Sequence, residues 1–252
     1  MEEKLAVRKT VRRTDERRAW VTRRRGQPSL WFRDDGGGRR PRLSRERIVE
    51  AAVDLLDSEG VEGFSMRRLA ARLRAGTMSL YSYVETREDV LDLALDAVMG
   101  ELALDDDDGV DWRTALTRRV EQSRQVMRRH VWITTLIGTR PLIGPTSLAR
   151  SDRFYATLAR AGLPPLELNA AVNTLFAYVH GFVAAENVWR LTVTDPEHEA
   201  KLRRQVRRHV LAHADRYPAL AREADVTDGD ADGGFRRGLD LILDGIEARL
   251  AA

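Results

Sequence analysis

The stretch from Ser65 to Val84, SMRRLAARLRAGTMSLYSYV, predicts two short helices joined by a tight turn. In its first half, Leu69, Ala70 and Leu73 recur at positions i, i+1 and i+4, so they form one narrow apolar face. In its second half, Leu80 and Val84 form the inward pair of another helix. The turn between the two falls near residues 74–76. This pairing predicts an all-α domain built around the stretch.

The side chains that surround the second inward pair carry no charge. A solvated helix face normally carries Lys and Glu, so an uncharged face is typical of a surface that meets another molecule. The predicted outward residues are Thr77, Met78, Ser79, Tyr81, Ser82 and Tyr83. A helix-turn-helix divides its work in this way, because arginines contact phosphates while short polar or aromatic groups contact base edges in the major groove. The arginines of the first helix and turn are Arg67, Arg68, Arg72 and Arg74.

Bulk composition limits the classes of protein that fit. The 252 residues suffice for one large domain or two modest ones. Cysteine is absent, which excludes disulfides, thiolate metal sites and a thiol nucleophile, and agrees with a cytoplasmic location. The arginine-rich N-terminus has no apolar core of a secretory signal, so we expect none.

Residues 1–43 are predicted to form a basic, largely disordered arm. Residues 1–45 contain fifteen Lys or Arg and six Asp or Glu, whereas the whole chain has a formal net charge of only +3. The cluster next to the first confident helix includes Arg42 and Arg45. It is either an arm that reaches phosphates or the minor groove, or a solvated tail.

Capping residues mark the helix boundaries around the opening stretch. Ser44 is expected to cap a helix that ends at Gly60, Ser65 caps the next, and Thr86 caps a fourth. Glu88 and Asp89 lie in the first turn of that fourth helix, where the helix dipole favours acids.

Several motifs at fixed spacing resemble the DNA-binding domain of TetR-family transcriptional repressors. They are Ala51-Ala52-x-x-Leu55-Leu56, Gly60, Arg67-Arg68-Leu69-Ala70, Leu80-Tyr81-Ser82-Tyr83-Val84 and Arg87-Glu88-Asp89-Val90-Leu91. The resemblance implies a helix-turn-helix domain over residues 44–104 that binds operator DNA in a homodimer. It also implies a helical effector-binding and dimerisation domain over residues 105–252. The implied DNA contacts are Arg67, Thr77, Met78, Ser79, Tyr81, Ser82, Tyr83 and Arg87. Arg74 stands where the family usually has Gly, so the geometry of the turn is open at this point.

The C-terminal half predicts further helices around one unusually uncharged segment. Residues 168–185 contain no charged side chain, which raises the question of a membrane span. Asn169, Asn173 and His180 argue against a span, so we interpret the segment as a buried helix between the domain core and a second subunit. Phe235–Leu250 is predicted to complete a four-helix dimer interface with it. Asp105–Asp108 is interpreted as a linker rather than a calcium loop.

Candidate ligand-binding residues combine aromatic side chains with a few polar groups. They are Trp132, Phe154, Asn173, Phe176, His180 and Trp189. The same residues suit either an effector cavity or a packed core. His209 and His213 are spaced like metal ligands, but further ligands are missing, so no metal or cofactor is predicted.

Three classes of function remain to be weighed. The leading hypothesis is a DNA-binding transcriptional repressor that a small-molecule effector releases from its operator. The alternative is a helical dimerisation or adaptor protein that has lost DNA binding. An all-helical enzyme is disfavoured, because the sequence offers no phosphate loop, no Ser/His/acid signature and no metal cluster.

Overall fold

A computed structural model describes residues 43–103, 109–192, 195–223 and 230–251. These residues form helices joined by turns and loops, and no strand occurs among them. The prediction of an all-α fold is therefore confirmed. The predictions for Arg42, for the rest of the basic arm before Leu43, and for Asp105–Asp108 lie outside the described residues.

Eleven helices follow one another along the described ranges. The first four carry the predicted helix-turn-helix: α1 (Arg45–Gly63), α2 (Met66–Arg72), α3 (Thr77–Leu80) and α4 (Arg87–Met99). The others are α5 (Trp112–Arg129), α6 (Ile133–Ile137), α7 (Pro145–Arg160), α8 (Pro165–Thr192), α9 (Pro196–Ala212), α10 (Pro218–Arg222) and α11 (Ala231–Leu250).

Side-chain caps fix the starts of the early helices as predicted. Ser44, Ser65 and Thr86 each accept a hydrogen bond from the backbone N–H three residues ahead, at 3.0–3.3 Å. Asp89 completes a capping box, because its carboxylate accepts from the Thr86 N–H at 3.1 Å. The regular part of α1 breaks at Gly60, where φ is +67°, but one further turn carries the helix to Gly63. The predicted break at Gly60 is thus confirmed, and the short turn that follows it was not predicted.

The turn between α2 and α3 places a non-glycine residue in the left-handed region. Arg74 has a φ of +51° and is the only such residue in the described ranges. The Ala75 N–H donates to the Ala70 carbonyl at 2.9 Å, and the Arg74 N–H donates to the Ala71 carbonyl at 3.1 Å. This is the double hydrogen-bond pattern that normally ends in glycine. The departure at Arg74 therefore leaves the geometry of the turn intact, and it removes the basis for expecting a disabled helix-turn-helix.

We expect Arg74→Gly to raise the free energy of unfolding by about 0.5–1 kcal/mol, because glycine adopts a positive φ without the steric strain of a Cβ atom. Thermal unfolding followed by circular dichroism measures the change. Ala75→Gly is the matched control: Ala75 has no positive φ, so glycine there adds chain entropy without relieving strain and lowers stability. A loss of stability in Arg74→Gly would contradict the expectation.

The core brings α4 and α8 into central positions. α4 packs against α1 and α7, while α8 packs against α5, α6, α7 and α11. The predicted inward residues Leu69, Leu80 and Val84 are all buried. α4 thus links the helix-turn-helix to the helices that surround α8.

The helix α8 is buried on one side only. By length and composition, its residues 165–190 could span a membrane, yet Val172, Leu175, Val179 and Val183 pack into the helical core. The opposite side is exposed, so only 28% of the apolar stretch is buried within one chain. This one-sided burial agrees with the prediction of a core helix whose second side is left for another subunit.

Candidate nucleic-acid interface and ligand cavity

The segment that begins with α3 presents a continuous uncharged face to solvent. Leu80 is fully buried and holds the segment against α2, while Met78 is 79% and Tyr81 is 43% exposed. Ser79 and Ser82 are also exposed, and Thr77 is half-buried at the start of the helix. This face offers hydroxyl, thioether and aromatic groups, which are the groups that read base edges in a major groove.

The arginines beside this face differ in their availability. Arg68 pairs with Glu59 and donates to the Gly63 carbonyl at 3.2 Å. Arg72 lies 3.7 Å from the Asp54 carboxylate. Arg67 is exposed and makes no side-chain interaction within the described ranges. Two of the four arginines therefore brace α2 against α1, and Arg67 is the α2 arginine left for a phosphate.

Two predicted contact residues, Tyr83 and Arg87, are half-buried and use polar groups on contacts within the domain. Tyr83 is half-buried, and its hydroxyl donates to the Leu43 carbonyl at 2.8 Å. The expectation that Tyr83 faces outward is wrong: it follows Leu80 by three residues, a spacing that already places it beside the inward pair. The guanidinium of Arg87 donates to the Val61 carbonyl at 3.1 Å and lies over the Phe64 ring, 5.4 Å from its centroid. Arg87 thus fixes the start of α4 to the end of α1.

An apolar cavity of about 200 Å³ lies between α4, α5, α6, α7 and α8. Three of the predicted ligand residues line it, namely Phe154, Phe176 and His180. The two phenyl rings are 5.1 Å apart between centroids. His180 Nε2 lies 3.1 Å from the Thr134 carbonyl, and a carbonyl only accepts, so that nitrogen carries a proton. The cavity therefore combines aromatic walls with few polar groups, as ligand sites do.

The other three predicted ligand residues lie away from this cavity. Trp132 is buried, but its indole N–H donates to the Asp57 carboxylate of α1 at 2.6 Å. Asn173 is exposed and donates to Asn169 at 2.6 Å. Trp189 is 37% exposed, under the Arg203 guanidinium. The inclusion of Asn173 and Trp189 is corrected because a single sequence does not show which side of α8 meets α5 to α7. The inclusion of Trp132 is corrected because its indole is engaged by Asp57.

Three sets of polar contacts, or clamps, join α4 to residues 140–150, the loop before α7 and its first turns, which form one wall of the cavity. Asp96 is buried and accepts from the N–H and hydroxyl of Ser147, both at 2.7 Å, so it caps α7 in place of Gly144. Arg140 donates to the Asp92 carboxylate at 2.6 Å. Arg150 lines the cavity and donates to the last carbonyls of α4, those of Met99 at 3.2 Å and Gly100 at 3.1 Å.

Sequence reasoning missed these clamps because each joins residues about fifty positions apart. The sequence did hold one local signal, since Asp92 and Asp96 place carboxylates in the middle of an otherwise apolar helix. Buried carboxylates need partners, so their spacing on α4 could have indicated a docking segment.

A second polar junction connects the cavity helices to α1. His130 is buried at the end of α5, with Nδ1 2.7 Å from the Asp57 carboxylate and Nε2 2.8 Å from the Glu101 carboxylate. Trp132 shares the same Asp57 oxygen. The helix-turn-helix is therefore joined to the cavity helices through α1 as well as through α4.

The exposed face of α8 forms a further surface of low charge. On α8 the exposed positions include small residues at helical spacing, namely Ala170, Ala177, Gly181 and Ala185. α11 packs on α8 and exposes Leu241, which is 74% accessible. A Cβ atom added at Gly181 would meet no atom within 4 Å beyond the neighbouring helix backbone. Small residues along a helix let a second helix approach closely, so this surface suits another helical subunit.

Comparisons with known proteins agree with the fold. Residues 103–250 match the family model described as tetracyclin repressor-like, C-terminal domain. An HTH-type transcriptional regulator of Saccharopolyspora erythraea is 42% identical over 221 residues, which are 87% of this chain and 92% of that protein. The HTH-type transcriptional repressor DrrR1 of Streptomyces coeruleorubidus is 38% identical over 223 residues, 85% of this chain and 81% of that protein.

A solved structure gives the same result. The Streptomyces coelicolor protein ActR, in complex with actinorhodin, superposes with a TM-score of 0.75 at 26% identity. The match covers 83% of this chain and 99% of ActR.

Proposed function

Because this chain belongs to the TetR family of transcriptional regulators, we propose that it is a repressor that binds operator DNA as a homodimer and leaves it when a small molecule fills the cavity. The family consists of regulators and not of enzymes, and a DNA-binding regulator works where DNA is, which supports a cytoplasmic location. One observation carries the proposal: α4 begins at the helix-turn-helix and ends as a wall of the cavity, held there by Asp96 and Arg150.

The DNA-binding part of the proposal rests on the exposed uncharged face. Met78, Ser79, Tyr81 and Ser82, with Thr77 at the helix start, are proposed to contact base edges, and Arg67 a phosphate. Tyr83 and Arg87 are proposed to position the segment, because their polar groups are used inside the domain. Arg45 is half-buried at the start of α1 and is proposed, with Arg42, to supply the arm's contribution.

The dimer is proposed to form through the exposed faces of α8 and α11. Two copies of this helix pair would make a four-helix bundle with close contacts along the small residues of α8. Operators with two half-sites about 34 Å apart, one turn of DNA, fit such a dimer. We therefore propose two domains. Residues 44–104 bind DNA, and residues 105–252 bind the effector and the second subunit.

Release follows from differential affinity. A ligand in the cavity contacts the end of α4 at Met99 and lies beside Arg150. If it binds more tightly when α4 is displaced, it favours a dimer whose two α3 segments no longer match two half-sites.

We expect Tyr81→Ala to lower operator affinity about 10- to 100-fold, because a lost base contact weakens specific binding by about 1–3 kcal/mol. The operator is first selected from a pool of random DNA duplexes, and binding is then measured by gel shift at two salt concentrations. Arg67→Ala should weaken binding to all duplexes and reduce the salt dependence. The matched controls are Tyr217→Ala and Arg204→Ala, which alter residues beyond α8. Failure to select any duplex, with or without cavity ligands, would overturn the proposal in favour of the adaptor.

A further inference from the structure

A smaller groove adjoins the cavity and carries positive charge. It shares four lining residues with the cavity, namely Leu102, Ser123, Arg150 and Phe154. Its remaining lining residues are Ala103, Arg119, Gln122 and Arg153. The apolar cavity therefore lies beside a small groove of about 10 Å³ that three arginines line along α5 and α7.

Acidic side chains are missing from this lining. Among the described residues, neither the cavity nor the groove is lined by Asp or Glu. Arg150 uses two of its N–H groups on the carbonyls of Met99 and Gly100, which leaves three of the five that a guanidinium carries. Arg153 makes no ion pair within the described ranges. Two cations thus face the groove with donors to spare.

The surroundings of Arg150 disfavour its charge. Burial, followed by the positive charge of Arg153, lowers the pKa of Arg150 below its ordinary value. A bound anion would act in the opposite direction, because an opposite charge nearby stabilises the guanidinium. A carboxylate also matches the planar fork of an arginine with two parallel hydrogen bonds.

The rest of the cavity selects an apolar body. Phe154 and Phe176 form an aromatic wall, and Val126, Ile137 and Leu142 complete it with aliphatic groups. An engineered apolar cavity of about 150 Å³ holds benzene. The cavity of about 200 Å³ found here therefore suits one or two rings before any helix moves.

We propose that the effector is an organic acid, whose apolar body of one or two rings fills the cavity while its carboxylate binds Arg150 and Arg153. The inference rests on the proposed function, since it takes the cavity as the effector site. The proposal also explains how binding of the acid could affect the DNA-binding surface. A carboxylate at Arg150 competes with the carbonyls of Met99 and Gly100, and so loosens the clamp on the end of α4.

The test compares an acid with its neutral analogue. Binding of 2-naphthoate and of 2-naphthamide to the full chain, without DNA, is measured by isothermal titration calorimetry. We expect the wild-type protein to bind the acid at least ~10-fold more tightly, because a bound charged group gains about 1.5–3 kcal/mol from charge-assisted hydrogen bonds. Arg153→Gln and Arg150→Gln should each remove most of this preference, and in Arg153→Gln the affinity for the amide should stay within ~2-fold.

Control variants separate the possible results. Arg204→Gln removes an exposed arginine of α9 and should keep the full preference for the acid. Arg153→Gln keeps the test valid if Arg150→Gln fails to fold, because the Arg153 guanidinium braces no other helix in the described ranges. If the wild-type protein binds the amide as tightly as the acid or more tightly, the proposal of an acidic effector is overturned. The cavity would then remain the proposed effector site.

A further control concerns the carboxylates of Asp105–Asp108, which come two residues after Ala103 in the sequence. If the wild type shows no preference and replacing these four residues by Asn creates one, the chain neutralises its own arginines and the proposal is overturned. If neither probe binds, the proposal is also overturned. The operator selection then decides separately whether the protein is a repressor.

Discussion

Gly181→Arg is expected to turn the dimer into a monomer and to lower operator affinity by about 100-fold or more, because one chain would then hold a single half-site without the avidity of two. Gly181 lies on the exposed side of α8, amid the small residues proposed to contact a second copy. An arginine there would bring its bulk and charge into the centre of the proposed four-helix bundle, where a buried unpaired charge is strongly unfavourable.

The substitution suits the test because the single chain tolerates it. A Cβ atom at Gly181 would meet no atom within 4 Å beyond the neighbouring helix backbone, and arginine favours helix more than glycine does. The fold should therefore survive, so that circular dichroism remains unchanged while light scattering after gel filtration reports half the mass. Gel shift with the selected operator then measures the loss of affinity.

Leu220→Arg is the matched control, since Leu220 is an exposed apolar residue on α10, outside the proposed interface. It should remain dimeric and bind the operator normally. A dimeric Gly181→Arg protein would show that the subunits meet through another surface, and it would leave the exposed side of α8 without an explanation.

Local physics made the first part of the fold predictable. Side-chain caps act within three residues, so Ser44, Ser65 and Thr86 mark helix starts that the structure confirms. The inward pair Leu80 and Val84 follows from helical spacing and is buried. Arg74 was identified from the usual glycine at its position, and its positive φ shows why glycine is usual there.

Other features depend on contacts that a single chain's pattern does not specify. α8 is apolar around most of its circumference, so its composition did not reveal which side faces the cavity. Phe176 and His180 lie on that side, whereas Asn173 and Trp189 lie on the exposed side. Trp132 is of a residue type common in ligand pockets, but its indole N–H donates to the nearby Asp57 of α1. Tertiary partners decided these assignments.

Asp96→Ala is expected to lower the free energy of unfolding by about 3 kcal/mol, which corresponds to roughly 6–12 °C in Tm for a chain of this size. The Asp96 carboxylate accepts from the Ser147 N–H and hydroxyl and from the Thr146 N–H at 3.2 Å. Alanine would leave these donors buried at the start of α7 without an acceptor. Gly144 has no side chain to replace the cap, and a methyl group on it would overlap the Asp96 carboxylate.

The same change is expected to weaken the effect of the ligand on DNA binding, because the cap is the most buried of the clamps between α4 and the cavity wall. The measured quantity is the ratio of operator affinities without and with a saturating cavity ligand, taken at a temperature where the variant is folded. In wild type this ratio should be large, and in Asp96→Ala it should approach one. Ser147→Ala is the graded control: it removes only the hydroxyl donor, so it should cost about 1 kcal/mol and keep most of the ratio. If Asp96→Ala were destabilised but kept the full ratio, the cap would serve stability alone. Ligand binding would then reach the DNA-binding surface either through Arg150 at the end of α4 or through His130 and Asp57.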